Sequence, residues 1–95
     1  MSIVTKLTDS LVKLQGSVDS SNAHHFEEEL LAAIAGQAMT LDAEELTYIS
    51  SAGLRVLLKA QKSMMKKGKM KMLNVNEAIM EVFEITGFSD ILTIE

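Results

Sequence analysis

An α/β domain with a mixed central β-sheet of four to five strands, and three to four helices packed on it, is the expected fold of this chain. Short runs of alternating apolar and polar residues recur, separated by stretches in which apolar residues return every three to four positions. Gly, Ser and Asn fall where those helical stretches must begin or end. Hydrophobic residues make up 47% of the 95 positions, enough for one core but not for two. The whole chain, 1–95, is therefore read as one domain.

The N-terminal runs Ile3 to Leu7 and Leu11 to Gln15 are short and β-rich, and Thr8-Asp9-Ser10 between them predicts a hairpin. In the second run Val12 and Leu14 face one way, Lys13 and Gln15 the other. Gly16-Ser17-Val18-Asp19 ends that strand. Ser20-Ser21-Asn22 offers N-caps to a helix from Ala23 to about Ala35, with Phe26, Leu30 and Ile34 at four-residue spacing and Gly36 as its stop. Met39 to Leu41 is a short central strand, and Asp42 to Thr47 a polar connection. The helix after Ser50-Ser51 carries Leu54, Leu57, Leu58, Met64 and Met65 on one side and Arg55, Lys59, Lys62 and Lys66 on another, and Gly68 closes it. Lys69 to Val75 alternates as a strand. Asn76 caps a third helix with Ile79, Val82, Phe83 and Thr86 on a shared side, and Gly87 ends it. Ile91 to Ile94 is the last strand. The order is ββαβαβαβ.

Nine basic and thirteen acidic side chains give a net charge of −4, the wrong sign for a nucleic-acid footprint. With no Cys there is no disulfide framework and no thiol metal site, which fits a reducing cytoplasm. No apolar run approaches membrane-spanning length, so no membrane insertion is expected. The N-terminal residues lack the form of a signal peptide. His24 and His25 are adjacent, so their imidazoles diverge on a helix and do not share a metal. Asp19 and Asp42 could pair as acid and base, but no nucleophile, base and orienting group accompanies them. No glycine-rich phosphate loop is present. An enzyme is not expected, and neither a cofactor nor a metal.

The most informative segment runs from Leu41 to Leu58. It reads as a strand ending in an acid, then a Ser50-Ser51-Ala52-Gly53-Leu54 turn that opens an amphipathic helix. A serine at a helix N-terminus supplies an oxygen to an orphan N–H. The same place tolerates an added phosphate, because the dipole there favours negative charge. From spacing alone, capping and modification are both open. Gly53 permits a close backbone approach at the helix start.

These residues resemble the STAS domains of the anti-sigma factor antagonist family. The likeness is strongest at Ile49-Ser50-Ser51-Ala52-Gly53-Leu54, which is similar to the family turn Asp-Ser-Ser/Thr-Gly-Leu. Gly16-Ser17-Val18-Asp19 resembles its Gly-Glu-x-Asp loop, Leu41-Asp42 its strand-ending acid, and Thr86-Gly87-Phe88 its Thr-Gly-Leu. Ser50 stands for the turn's Asp, Ala52 for its second hydroxyl residue and Ser17 for the loop Glu. The resemblance implies a STAS-like fold and phosphorylation at Ser51, with Ser50 as second choice. It also implies a partner-binding surface, to which Asp19, Asp42, Ser50, Ala52, Gly53 and Arg55 are assigned.

The implied role is that of a cytoplasmic partner-switch protein, a monomer or weak dimer. Unphosphorylated, it binds an anti-sigma factor serine kinase and frees that kinase's other client, often a sigma factor. Phosphorylation releases it, and a metal-dependent serine phosphatase restores it. The alternative is a STAS accessory subunit of an ABC-type lipid or solute transporter. A third class is a small module that holds a nucleotide or lipid in a cleft.

Overall fold

The computed structural model describes residues 3–34, 38–66 and 68–95. Five strands form one sheet in sequential order: β1 (Val4–Lys6), β2 (Leu11–Val18), β3 (Ala38–Ile49), β4 (Lys69–Leu73) and β5 (Thr93–Ile94). Only β1 is antiparallel, joined to β2 by the expected hairpin, and the other pairings are parallel. Three helices connect the parallel strands: α1 (Ala23–Ala33), α2 (Ser51–Met65) and α3 (Glu77–Thr86), the last followed by one 3-10 turn, Phe88–Asp90. The expected end of α1 at Ala35 and Gly36 lies outside the described residues.

Register fixes which face is covered. Val12 pairs with Leu41 and Leu41 with Met72, while Met39 pairs with Met70, so these side chains share one side of the sheet. All are buried, together with Leu14, under Phe26 and Leu30 of α1, Leu54 and Leu57 of α2 and Phe83 of α3. The opposite face carries Thr5, Lys13, Thr40, Asp42 and Lys71 and is half-open. Most parallel sheets are covered on both sides and read as continuous apolar runs. Here the alternation in β2 and β4 is what one covered face requires.

Strand β3 departs from expectation. Asp42 does not end it; the strand runs on to Ile49, through the segment read as a polar connection. Its register against β2 shifts twice, once between Lys13 and Gln15 and once between Gly16 and Ser17. At each shift β3 carries one extra residue, a β-bulge. Each bulge resets the alternation, so the buried positions are Leu41, Ala43, Leu46 and Ile49, with spacings of two, three and three. That pattern hides a strand from a period-2 reading. Gly16 adopts φ +83° at the second shift, a conformation few side chains tolerate, and Thr47 Oγ1 donates to its carbonyl at 3.0 Å.

The helices follow their predicted punctuation more closely. Asn76 Oδ1 accepts from the Ile79 N–H at 2.9 Å, while its Nδ2 donates to the Leu46 carbonyl, so the cap also fastens α3 to β3. Gly87 ends α3 in the left-handed region, and the Gly68 N–H donates to the Met64 carbonyl at the end of α2. In α2, Leu54, Leu57 and Met64 are buried and Leu58 half-buried, but Met65 is exposed. The helix instead buries Val56 and Ala60, and that rotation turns Met65 outward. Asn22 occupies the N-cap position of α1 without a side-chain cap bond. Strand β5 is shorter than expected, with Leu92 buried just before it.

Candidate functional site

The site is built where β2 and β3 end together. The Ser50 N–H donates to the Val18 carbonyl at 2.8 Å, one step beyond the Val18–Ile49 pair. The loop leaving β2 and the turn entering α2 are therefore neighbours at one edge of the sheet. This adjacency brings Asp19 toward Ser50 and Ser51, residues 31 and 32 positions away in sequence.

Ser50 and Ser51 divide two roles between them. Ser50 is extended (φ −86°, ψ 174°), and its Oγ accepts from the Gly53 N–H at 3.3 Å. It is the N-cap, half-buried. Ser51 is the first residue of α2 and is exposed. Asp and Ser are equivalent in kind as N-caps, since each offers an oxygen to the same backbone donors. That accounts for a serine where the family turn has an aspartate.

Gly53 faces inward. A Cβ there would lie 2.7 Å from Ile49 Cγ1 and 2.8 Å from Val18 Cγ1. The bare backbone lets the first turn of α2 rest on the ends of β3 and β2. Gly53 thus sets the height of Ser51 above the sheet and offers no surface itself. Ala52, half-buried, and Arg55, exposed, lie on the open side of the same turns.

The Asp19 loop holds itself together. Asp19 Oδ1 accepts from the Ser21 hydroxyl and from the N–H groups of Ser21, at 2.8 Å, and Asn22, at 3.2 Å. The Asp19 N–H donates to Asn22 Oδ1 at 2.8 Å, and Asn22 Nδ2 donates to the Ser17 carbonyl at 2.9 Å. The Ser21 hydroxyl bond is the leading reason the Asp19 carboxyl is held below the usual range, with the backbone bonds adding to it. Asn22 is committed to this network, which is why it does not cap α1 with its side chain.

Asp42 is not brought to the site. Six residues of strand lie between it and Ile49, on the order of 20 Å even allowing for the bulges. Its Oδ1 accepts from Asn74 Nδ2 at 3.0 Å and from the Glu44 N–H at 3.0 Å. The Asn74 bond is the first cause of its lowered pKa and the Glu44 bond the second. Asn74 is held at φ +59°, a conformation Asn adopts more readily than most residues. Asp42 is a brace between β3 and the β4–α3 turn, and it does not form an acid–base pair with Asp19.

Between α1 and α2 lies a cleft of about 350 Å³, lined by Ala23, His24 and Glu27 on one side and Ala52, Arg55, Val56 and Lys59 on the other. Lys59 Nζ reaches Glu27 Oε2 across it at 3.0 Å. His24 pairs with Glu28 and His25 with Glu29, along the helix and in different directions. The basic stripe of α2 is thus partly spent on fastening α1. Tyr48, half-exposed at 53%, stands two residues before Ser50. Its paired exposure with Thr47 comes from the second bulge and has no signature in the sequence.

A two-layer α/β domain with an exposed serine at the start of a helix, beside a self-braced acidic loop, is the class of module defined so far. The STAS domain model matches residues 2–95. The chain belongs to the STAS domain family and, within it, to the anti-sigma factor antagonists. It is 40% identical over 84 residues to a candidate anti-sigma factor antagonist, BtrV, of Bordetella bronchiseptica, covering 85% of this chain and 72% of that one. It is 31% identical over 88 residues to the anti-sigma-B factor antagonist of Bacillus subtilis, covering 90% and 81%. The fold is shared with the anti-sigma factor antagonist SpoIIAA. The unphosphorylated form superposes with a TM-score of 0.75 at 18% identity, covering 97% of this chain and 85% of that one. The phosphorylated form of the Bacillus protein gives 0.64 at 19%, covering 97% and 88%.

Proposed function

We propose that this chain is an anti-sigma factor antagonist that works as a phosphorylation-controlled partner switch, with Ser51 as the phosphoacceptor. The observation that carries the reading is the division of labour in the turn. Ser50 is held as the cap, and Ser51 is left exposed on the first residue of α2. Its partners are a serine-kinase anti-sigma factor, which binds the unphosphorylated form, and a metal-dependent serine phosphatase, which regenerates it. The domain is a substrate and a binder, not a catalyst, and needs no cofactor. The transporter-subunit alternative draws no support from the antagonist relatives.

The mechanism follows from charge and shape. Unphosphorylated, the helix end presents small neutral groups, Ser50, Ser51 and Ala52, with the Asp19 loop next to it and Arg55 one turn further along α2. A partner packs closely there. Phosphorylation adds about −1.5 to −2 charge and three acceptor oxygens at that contact. The helix N-terminus accommodates the charge, so the fold persists while the desolvated contact becomes costly.

The test uses the kinase captured from native lysate by pull-down and identified by mass spectrometry. Calorimetry against it should give matching affinities for wild type and Ser51→Ala and a much weaker one for Ser51→Asp. The circular-dichroism melt of Ser51→Asp should stay near wild type. With ATP, wild type should lose binding and Ser51→Ala should keep it. Equal affinities for wild type, Ser51→Asp and phosphorylated protein would sink the switch, and modification mapped to Ser50 alone would reassign the acceptor.

A further inference from the structure

We propose that Arg55 is the intramolecular receptor of the Ser51 phosphate, closing an anion site at the mouth of the α1–α2 cleft. The inference rests on the Ser51 reading above and adds a second component to the switch.

Three observations converge on Arg55. It lies one helical turn after Ser51, and residues at i and i+4 share a face with their Cβ atoms about 5–6 Å apart. The order is the favourable one, anion toward the N-terminus and cation after it. Long side chains on a helix tend to lean back toward its N-terminus, a direction that brings a guanidinium at this position within reach of the first turn. Arg55 lines the cleft together with Ala52 of that turn and Ala23 of α1, both small side chains.

The other polar side chains of the cleft have partners of their own. Lys59 is paired with Glu27 at 3.0 Å, and His24 with Glu28 at 3.0 Å. The Asp19 carboxylate, in the neighbouring loop, is held by Ser21 and Asn22. Among the described residues Arg55 forms no ion pair and is exposed. A guanidinium is suited to phosphate because its planar fork donates two parallel N–H bonds to two oxygens. Phosphorylation then does two things to the partner surface. It places an anion at the contact and withdraws the cation that stood beside it.

The test needs no kinase. Phosphoserine is introduced at position 51 by genetic encoding in the full chain, and its second ionisation is followed by phosphorus NMR in wild-type, Arg55→Gln and Arg55→Lys backgrounds. A free phosphoserine titrates at about pH 6. With Arg55 present the transition should fall by about half a unit or more relative to Arg55→Gln, a reduced version of the effect at buried pairs because the site is solvent-screened. Arg55→Lys should lie between. The Arg55 Nε–H resonance should shift and sharpen on phosphorylation of wild type. The helix dipole acts equally in all three proteins and cancels from the comparison.

The same phosphate titration in all three backgrounds, with an unmoved Arg55 resonance, overturns the receptor and leaves Ser51 as phosphoacceptor. Conversely, a kinase that modifies only Ser50 removes the switch at Ser51 while the titration retains its Arg55 dependence. The two failures are read in different experiments.

Discussion

At the scale of single residues, the turn between β3 and α2 is governed by what each position must not carry. Gly53 must not carry a Cβ, because Ile49 and Val18 already occupy its place. The atoms in the way are γ carbons of β-branched side chains, which yield only by leaving a preferred χ1 rotamer. Gly53→Ala should therefore destabilise the domain by about 1–3 kcal/mol, the usual range for overpacking. It should also lift the first turn of α2, so the amide shifts of Ser50 and Ser51 should change with it. A melt equal to wild type would show that the close approach is not needed. That the backbone comes close to something here was readable from an isolated glycine at a helix start. The neighbours that enforce it lie on two strands, and only the register between those strands reveals them. The assignment of Ser50 and Ser51 to separate tasks was open in sequence for the same reason. Either hydroxyl could cap, and the Ser50 bond to Val18 decides which one does.

At the scale of elements, α2 links the site to the core. Leu57 is wholly buried at its middle, and Met65 is 71% exposed at its end. Leu57→Ala should cost about 2–5 kcal/mol, as truncation leaves a cavity beneath the helix. Met65→Ala should stay within about 0.5 kcal/mol of wild type. Urea denaturation of both variants checks the pair, and comparable losses would mean the helix is rotated from the register described. The caps and breakers of α2 and α3 were legible because their chemistry is local: a serine or asparagine oxygen meets an N–H three residues on. The course of β3 was not legible. Its two bulges place buried residues three apart, and the charged run Asp42-Ala43-Glu44-Glu45 looks like a loop until β2 and Asn74 are seen to satisfy it.

At the scale of the whole molecule, the fold class and the order of elements along the chain followed from the alternation of periods, while the strand order and the one-sided covering of the sheet emerged only from pairing and register. Two acids tie that architecture to pH. The carboxyls of Asp19 and Asp42 are both held below their ordinary values, chiefly by Ser21 and by Asn74. A depressed native pKa contributes stability above the unfolded value and loses it as pH falls through the native one. The melting temperature should thus be nearly level from neutrality down to about pH 5 and drop below about pH 4. Asp42→Asn should be less stable at neutral pH and show a shallower acid decline. An acid limb of unchanged slope in that variant would mean that the Asn74 brace contributes nothing.

The two bulges of β3 also amount to a count. Eight residues of β2, Leu11 to Val18, run beside ten of β3, Thr40 to Ile49. Two extra residues restore the parity of the strand by its end, so Ile49 points inward again and the two strands finish level. Remove one residue anywhere between Leu41 and Ile49, and parity fails. Ile49 would turn to the open face, and Ser51 would arrive where Ser50 now meets Val18. The serine that caps and the serine that stays exposed would exchange places without either being mutated. Adjacent serines are alike in chemistry, and only the length of the strand before them gives each its task.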